Sequence, residues 1–274
     1  MKKQPSRPST DTRKVPVRAL HLDLKGVPPT SPRLLRIIEV AKAGGYNALL
    51  VEWEDQFPWK EKRFRNETCY SEGEVRRFHA HAAKLGLEVI PLVQCLGHME
   101  TWLRIPEHRK LRELPQNVDV LNPLAPGARA LIEGLVEEVL ALPPGCRHFH
   151  LGGDEAWTFG QHPDTKAYVA KHGKGALYLH HVEPILDRLL ARGVRPILWH
   201  DMMLEWDGRA LRALGRKADL CVWAYSRYDR ALTPWAKALK AEERNSRPPI
   251  LLGGGGTPAC DPLFRHFLSA GVPL

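Results

Sequence analysis

Two adjacent carboxylates, Asp154 and Glu155, are the residues of this sequence best placed to do chemistry. They follow a short apolar stretch and two glycines within 147–157, and a buried strand cannot hold neighbouring charges on opposite faces. We therefore expect them at a strand end, on a rim. Glycosidases with two catalytic carboxylates hold them roughly 5 Å or 6.5–9.5 Å apart across the bond that is cut. Adjacent residues cannot straddle that bond, but they could act side by side, one as an acid and one orienting the substrate. A role as a helix N-cap is the alternative.

His98 and Asp55 follow two earlier predicted strands, as Glu155 follows a later one. Three successive strand ends would place these side chains along one arc of the same rim. A carboxylate–imidazole–carboxyl chain of this kind can raise the pKa of a general acid. A purely structural His98 is the alternative interpretation.

Aromatic residues also follow the predicted strand ends: Trp53, Trp102, Trp157, Trp199 and Trp223. Together they predict an aromatic-walled pocket suited to the apolar face of a sugar ring, although we expect at least one to serve packing only. The glycines 253–256 could cradle a phosphate or form a flexible turn. The histidine pairs 79/81 and 180/181 have spacings that do not share a helix face, so no metal site or other cofactor is predicted.

The elements that must position these residues are seven apolar strands alternating with helical patterns. The strands are predicted at 18–24, 47–53, 87–94, the start of 147–157, 196–199, 220–223 and 249–252. Ser31 is expected as a helix N-cap before Pro32, and Ser71 with Glu74 as a capping box. This pattern predicts an α/β fold of the TIM (β/α)8 type that lacks, or is truncated at, its eighth strand. An open doubly wound sheet is the alternative, but the first strand–helix turn lacks GxGxxG.

Length and composition favour one barrel domain over 17–274, preceded by a disordered basic tail over 1–16. The chain has 274 residues and a formal charge of +9, but its basic residues are scattered, which argues against a nucleic-acid partner. No stretch approaches the ~20 apolar residues of a membrane span, so no membrane partner is expected. The 5 cysteines lack zinc or disulfide spacing, which favours a reduced, cytoplasmic setting.

With these residues laid out, the chain resembles glycoside hydrolase family 20, the β-N-acetylhexosaminidases, and within it the hexosaminidase D-like branch. The stretch 150–155 (HLGGDE) matches the family signature H-x-G-G-D-E. The segments 22–26 (LDLKG) and 52–59 (EWEDQFPW) resemble that branch, as do 91–94 (PLVQ) and 97–100 (GHME). The motifs occur in the right order over 18–226, which makes the resemblance specific.

The resemblance implies an exo-acting, retaining hydrolase that removes terminal β-linked GlcNAc or GalNAc from an amino-sugar glycoside or oligosaccharide. In such enzymes the substrate's own 2-acetamido oxygen attacks the anomeric carbon, so a carboxylate nucleophile is not needed. Glu155 would then be the general acid/base, and Asp154 would orient the acetamido group. Substrate-assisted catalysis thus explains how two adjacent carboxylates could serve a glycosidase, since neither has to act as the nucleophile.

The family pattern also suggests roles for other residues of this sequence. Arg18 matches an arginine that holds sugar hydroxyls, and Asp55 with His98 matches a relay to the acid. The remaining expected substrate-binding residues lie near strands five and six: Trp199, Asp201 and Trp223.

Two departures from the family pattern follow. The pocket tyrosine expected after strand seven is replaced by glycines 253–256, and Tyr225 is the best substitute. An eighth strand, which supplies a Trp and an acidic residue in the family, is missing. A catalytically impaired sugar-binding relic is therefore the alternative function. An open barrel would also expose two sheet edges, which predicts a homodimer or poor solubility.

Overall fold

The computed structural model describes residues 17–142 and 145–223, which form a sheet of six strands with helices between them. The strands are β1 (Ala19–Asp23), β2 (Ala48–Glu52), β3 (Glu88–Leu92), β4 (His148–His150), β5 (Arg195–Trp199) and β6 (Asp219–Cys221). The helices are α1 (Ser31–Ala43), α2 (Glu72–Lys84), α3 (Glu100–Leu103), α4 (Ala128–Ala141), α5 (Pro163–His172), α6 (Lys174–Ala191) and α7 (Gly208–Gly215).

All six strands are parallel, and each pairs with the next strand in the sequence, in the order β1-β2-β3-β4-β5-β6. A doubly wound sheet reverses its strand order at a switch point, and the described residues contain no such reversal. Their order is that of a TIM barrel followed through six of its eight strands. The predicted strand 249–252, glycines 253–256 and Tyr225 lie outside the described residues.

Alternation along the strands separates two apolar clusters. One side of each strand packs against the helices, as Leu49, Val51 and Phe149 do. The opposite side forms a smaller cluster in the concave interior: Ala48, Leu50, Ile90, Leu92, Trp199 and Cys221. Side chains on a strand point alternately to opposite faces. The inward-facing residues that follow this cluster toward the carboxyl ends of the strands, such as Glu52 and Gln94, therefore line the space at that end of the sheet.

The helix boundaries agree with the predicted signals at α2 and differ by one residue at α1. The capping box at α2 is present, since the Glu74 amide donates to Ser71 Oγ at 3.3 Å and the Ser71 amide donates to Glu74 Oε2 at 2.9 Å. At α1 the prediction was wrong by one residue, because Ser31 is already helical and Thr30 is the N-cap. The helices α3, α5 and α7 were not predicted.

The described residues can be examined for membrane-spanning helices, metal-binding clusters and free cysteines. None of their helices combines the length and apolar character that a membrane span requires. Within 17–142 and 145–223, no group of three or more His, Cys, Asp or Glu side chains is arranged to hold a metal ion. Four cysteines of these ranges are free thiols: Cys69, Cys95, Cys146 and Cys221.

Candidate active site

A pocket opens at the carboxyl ends of the strands, directly above the interior apolar cluster. It is lined by His21, Asp23, Lys25, Glu52, Gln94, His98, Asp154, Glu155, Trp199 and Trp223. The sequence-predicted carboxylates, imidazole and two of the tryptophans therefore share one cavity. The carboxyl rim is also where barrel enzymes carry their catalytic groups.

The two glycines after β4 shape the turn that presents the carboxylates. Gly152 and Gly153 both have positive φ, +59° and +82°, a conformation that glycine adopts without steric cost. A Cβ on Gly152 would lie 1.9 Å from Gln94 Oε1, and one on Gly153 would lie 2.4 Å from the Tyr178 hydroxyl. Buried His150 accepts the Gly152 amide hydrogen at Nδ1, and burial lowers the pKa of this imidazole to about 3, so it is neutral. Only glycines allow the turn to pack this closely.

The imidazole of His98 contacts both carboxylates of the pair. Its Nε2 lies 3.6 Å from Asp154 Oδ2 and 3.4 Å from Glu155 Oε2. The contact with the Asp154 carboxylate, which outweighs the desolvation of the ring, raises the pKa of His98 to about 9. At neutral pH the ring is therefore an imidazolium placed against Asp154 and within 3.4 Å of Glu155.

Backbone strain is concentrated at the same residues. His98 and Glu155 both have left-handed backbones, with φ of +54° and +48°, although neither is glycine. Such conformations cost about 1–3 kcal/mol each and persist only where surrounding contacts hold them. The close approach of Gly97 is one such contact, since a Cβ there would lie 1.9 Å from the Asp154 carbonyl oxygen.

Asp201 anchors the backbone of Glu155 from the end of β5. Its Oδ2 accepts the Glu155 amide hydrogen at 2.9 Å, and its Oδ1 accepts from Trp223 Nε1 at 3.3 Å. Burial, with a contribution from the charge of Asp154, raises the pKa of Asp201 to about 7. The sequence predicts Asp201 as a substrate ligand; in the structure its two oxygens hold the Glu155 backbone and the Trp223 side chain.

A second charged group, which the sequence analysis did not identify, faces the pair across the pocket. Lys25 Nζ lies 3.3 Å from Glu52 Oε1, and Gln94 Nε2 donates to the same oxygen at 3.0 Å. His21 Nε2 lies 3.6 Å from Glu52 Oε2. Although burial opposes it, the contact with His21 and the charge of Lys25 lower the pKa of Glu52 to about 2. The group therefore contains an ion pair at neutral pH.

Gln94 links this charged group to the turn that carries Asp154 and Glu155. Its amide nitrogen donates to Glu52, and its Oε1 accepts the Gly153 amide hydrogen at 3.0 Å. Strand alternation could have identified both residues, because Glu52 follows Ala48 and Leu50, and Gln94 follows Ile90 and Leu92, on the inward face. The inward-facing positions of the strands, and not only the residues beyond the strand ends, therefore indicate this group.

The structure corrects the prediction that Asp55 forms a relay with His98. The Asp55 carboxylate instead accepts from Gln56 Nε2 and Asn66 Nδ2, each at 2.9 Å. The short 3-10 turn 54–56 begins with Glu54 at φ +47°, which turns Glu54 toward Lys25 at 4.0 Å. Burial, together with the charge of Glu52, raises the pKa of Glu54 to about 8. The strand-two residue that faces the charged group is thus Glu54.

Arg18, which the sequence predicts as a substrate ligand, is not among the residues that line this pocket. It precedes β1, and its carbonyl oxygen accepts from the amides of Asn47 and Ala48, just where β2 begins. Its guanidinium Nε donates to the Gly45 carbonyl at 2.9 Å. These contacts lie at the amino ends of the strands, three residues or about 10 Å of strand length before His21, the first residue of β1 that lines the pocket. Lys25, beyond the other end of β1, is the cation that lines the pocket.

The predicted five-tryptophan wall is reduced to two members. Trp199 and Trp223 line the pocket, and the Trp199 ring centroid lies 4.3 Å from that of His150. Trp53 and Trp102 are fully buried among other aromatic rings and serve packing. Trp157 is 71% exposed and lies outside the pocket. Tyr225, the suggested substitute for the pocket tyrosine, lies outside the described residues.

The sheet order and the rim pocket define a barrel-type domain whose adjacent carboxylates could carry out acid–base chemistry on a sugar. Comparison with known families then gives a more specific assignment. Residues 42–240 match the catalytic domain of glycosyl hydrolase family 20, and the chain belongs to that family.

Individual relatives agree with the family assignment. The chain is 36% identical over 196 residues to Hexosaminidase D from Bos taurus, covering 69% of this chain and 56% of the relative. It is 34% identical over 218 residues to Hexosaminidase D from Homo sapiens, covering 77% and 45%. The chain thus spans about half the length of these curated relatives. Its fold is similar to that of Flavobacterium johnsoniae chitobiase, with a TM-score of 0.61 at 19% identity, covering 88% of this chain and 44% of that one.

Proposed function

We propose that this chain is an exo-acting, retaining β-N-acetylhexosaminidase that removes terminal β-linked GlcNAc or GalNAc by substrate-assisted catalysis. The observation that carries the proposal is the contact of His98 with both Asp154 and Glu155 inside the rim pocket. No carboxylate pair of this kind can straddle a glycosidic bond, whereas a side-by-side pair suits a nucleophile supplied by the substrate. Membership of family 20 and the likeness to Hexosaminidase D support the same reaction.

The two carboxylates would divide the work. The acetamido oxygen attacks the anomeric carbon while the bond to the leaving oxygen breaks, and Glu155 gives its proton to that oxygen. Asp154 accepts the acetamido N–H and stabilises the positive charge of the oxazolinium-type intermediate. Glu155, now ionised, removes a proton from water as the water opens the intermediate, which restores the acid and retains the anomeric configuration.

Features of the pocket fit these roles. Asp154 Oδ1 is buried and has no hydrogen-bond partner among the described residues, so this carboxylate can take an additional donor such as an amide N–H. Glu155 is more accessible, with 35% of its side chain exposed, as a residue that exchanges protons with water requires. Lys25 and the wall of Trp199 and Trp223 offer a cation and aromatic faces to the sugar hydroxyls and ring.

The sequence also left open an impaired relic, a phosphate-binding barrel, a cytoplasmic location and a homodimer. A catalytically impaired relic is not favoured, because Asp154, Glu155 and His98 come together in one pocket. The phosphate-binding option depended on glycines 253–256, which lie outside the described residues. A cytoplasmic location and a homodimer remain proposals, and the free thiols Cys69 and Cys146 are compatible with a reducing compartment.

Hydrolysis of an aryl β-N-acetylglucosaminide by wild type and Glu155→Gln tests the proposal. We expect wild type to release the phenol, and the variant to lose at least 100-fold in kcat because it has no proton to give. Glu137→Gln, an exposed α4 glutamate paired with Arg192, is the matched control and should keep wild-type activity. A wild-type enzyme without turnover, or a Glu155→Gln variant with equal turnover, would refute the assignment. The matching β-glucoside, which lacks the acetamido group, should not be cleaved.

A further inference from the structure

A second cavity lies beside the catalytic pocket and is separated from it by Asp201. This groove is bounded by the loop after β4, the α5–α6 junction and the loop between β5 and α7. Asp201 lines the groove, while its carboxylate accepts from Glu155 N and from Trp223 Nε1. Both partners line the catalytic pocket. The groove therefore borders Asp201 and the chain directly after Glu155, the residue that would protonate the leaving oxygen.

Trp157 stands at the entrance of this groove, two residues after Glu155. Its side chain is 71% exposed, whereas every other tryptophan in 17–142 and 145–223 is buried or half-buried. The position is nevertheless fixed, because the Trp157 amide donates to the Glu155 carbonyl at 2.8 Å. A large apolar ring held in water next to a catalytic residue is typical of a binding surface.

The remaining lining of the groove combines apolar side chains, such as Leu179, Met202 and Trp206, with charges of both signs. Lys174 and Arg209 supply cations, and Glu205 supplies a carboxylate. Mixed charges offer many hydrogen-bond donors and acceptors but select neither an anion nor a cation. With an aromatic platform beside them, they suit a neutral ligand that has hydroxyl groups and apolar ring faces.

We propose that this groove binds the leaving-group side of an oligosaccharide, with Trp157 stacked on the sugar next to the bond that is cut. The inference rests on the proposed function, since it places Glu155 between the terminal sugar in the pocket and the departing sugar in the groove. The substrate class is then an oligosaccharide whose second residue is itself recognised. A glycoside with a small leaving group uses only the pocket.

Two substrates separate the groove from the pocket. The β1,4-linked disaccharide of N-acetylglucosamine fills both, whereas N-acetylglucosaminyl β-fluoride has a leaving group of one atom that cannot reach Trp157. We expect Trp157→Ala to lower kcat/KM about tenfold for the disaccharide and less than twofold for the fluoride. Trp157→Phe should retain most of the disaccharide activity, since it keeps an aromatic face. Tyr46→Ala, at an exposed residue next to the amino end of β2, is the control.

A binding measurement makes the test independent of turnover. In the Glu155→Gln background, Trp157→Ala should raise the Kd of the disaccharide about tenfold and leave that of the monosaccharide unchanged. Equal disaccharide affinity with and without Trp157, or an equal loss for both ligands, would overturn the inference while leaving the proposed function intact. Conversely, Trp157-dependent binding by a wild-type enzyme without turnover would support the groove and refute the hydrolase.

Discussion

The backbone amide of Glu155 donates a 2.9 Å hydrogen bond to the side chain of Asp201. This bond crosses from the end of β4 to the end of β5 and restrains a residue whose φ of +48° is unfavourable for glutamate. The other Asp201 oxygen accepts from Trp223 Nε1. One buried carboxyl group therefore sets both the direction of the proposed acid and the position of a pocket wall.

Asp201→Asn should impair catalysis more than substrate binding. An amide offers one acceptor and one donor, whereas Glu155 N–H and Trp223 Nε1–H both need acceptors, so one of the two bonds is lost. We expect kcat to fall about 10- to 100-fold with a smaller change in KM, measured by steady-state hydrolysis of an aryl glycoside. Asp187→Asn, which removes an exposed contact to Lys217, should leave kcat unchanged. Retention of kcat within twofold in Asp201→Asn would contradict the anchoring role.

The stability of the fold should depend on the charge of His98. Its pKa is raised to about 9 by Asp154, compared with 6.5 when unfolded, so the folded state binds the proton more tightly. The resulting stabilisation is fully present below pH 6.5 and is lost as the pH rises through 9. Urea unfolding of wild type and His98→Gln should show a difference that shrinks by about 1 to 2 kcal/mol between pH 6.5 and 9.5. That figure allows for solvent screening.

His79 provides the matched control for this pH dependence. Its ring is buried, and burial lowers its pKa to about 4, so the folded state stays neutral and only the unfolded state still loses a proton just above pH 6.5. The stability difference between wild type and His79→Gln should therefore change by less than about 0.5 kcal/mol from pH 6.5 to 9.5. If the His98→Gln difference were equally flat, the imidazolium beside Asp154 would be refuted.

The sequence predicted the fold well because strand and helix patterns are local. Apolar runs such as 196–199 and the capping box at Ser71 depend on neighbours within a few residues, and the structure confirms them. The alternation of strands and helices was enough to indicate parallel pairing. The helix α5 was missed because only Thr165 on it is buried, which leaves no apolar stripe for a periodicity argument.

The site was harder to predict because it depends on the direction in which each side chain points and on the end of the strand at which it lies. Asp55 and Glu54 are neighbours, and a positive φ at Glu54, which sequence does not reveal, decides which of them faces Lys25. Arg18 lies close in sequence to the pocket residues of β1 but at the opposite end of the strand. Trp53 and Trp157 both follow predicted strands in the sequence, yet Trp53 is buried and Trp157 is exposed. Three-dimensional packing, rather than spacing, makes these choices.

Gly97→Ala should distort the turn that carries Asp154 and Glu155. A Cβ at this position would lie 1.9 Å from the Asp154 carbonyl oxygen, so the loop carrying Asp154 and Glu155 must move. We expect the free energy of unfolding to fall by about 1–3 kcal/mol, measured by denaturant titration, and kcat to fall at least tenfold. Gly134→Ala adds the same methyl group in α4, where it meets no atom within 4 Å. That control should gain about 0.5–1 kcal/mol from helix propensity, and a stable, fully active Gly97→Ala would contradict the close approach.

Lys25→Met should destabilise the fold by leaving Glu52 ionised without its cation. Lys25 Nζ lies 3.3 Å from Glu52 and 3.7 Å from Asp23, and the Glu52 side chain is only 5% exposed. Removing one partner of a buried pair is costly, but Lys25 is itself 37% exposed, so we expect a loss of about 1–3 kcal/mol in urea unfolding. Adding Glu52→Gln should recover part of this loss, which a double-mutant cycle measures directly. Lys217→Met, which breaks surface pairs with Glu183 and Asp187, should cost less than about 1 kcal/mol. Equal losses at Lys25 and Lys217, with no recovery from Glu52→Gln, would mean that the pocket charges are not coupled.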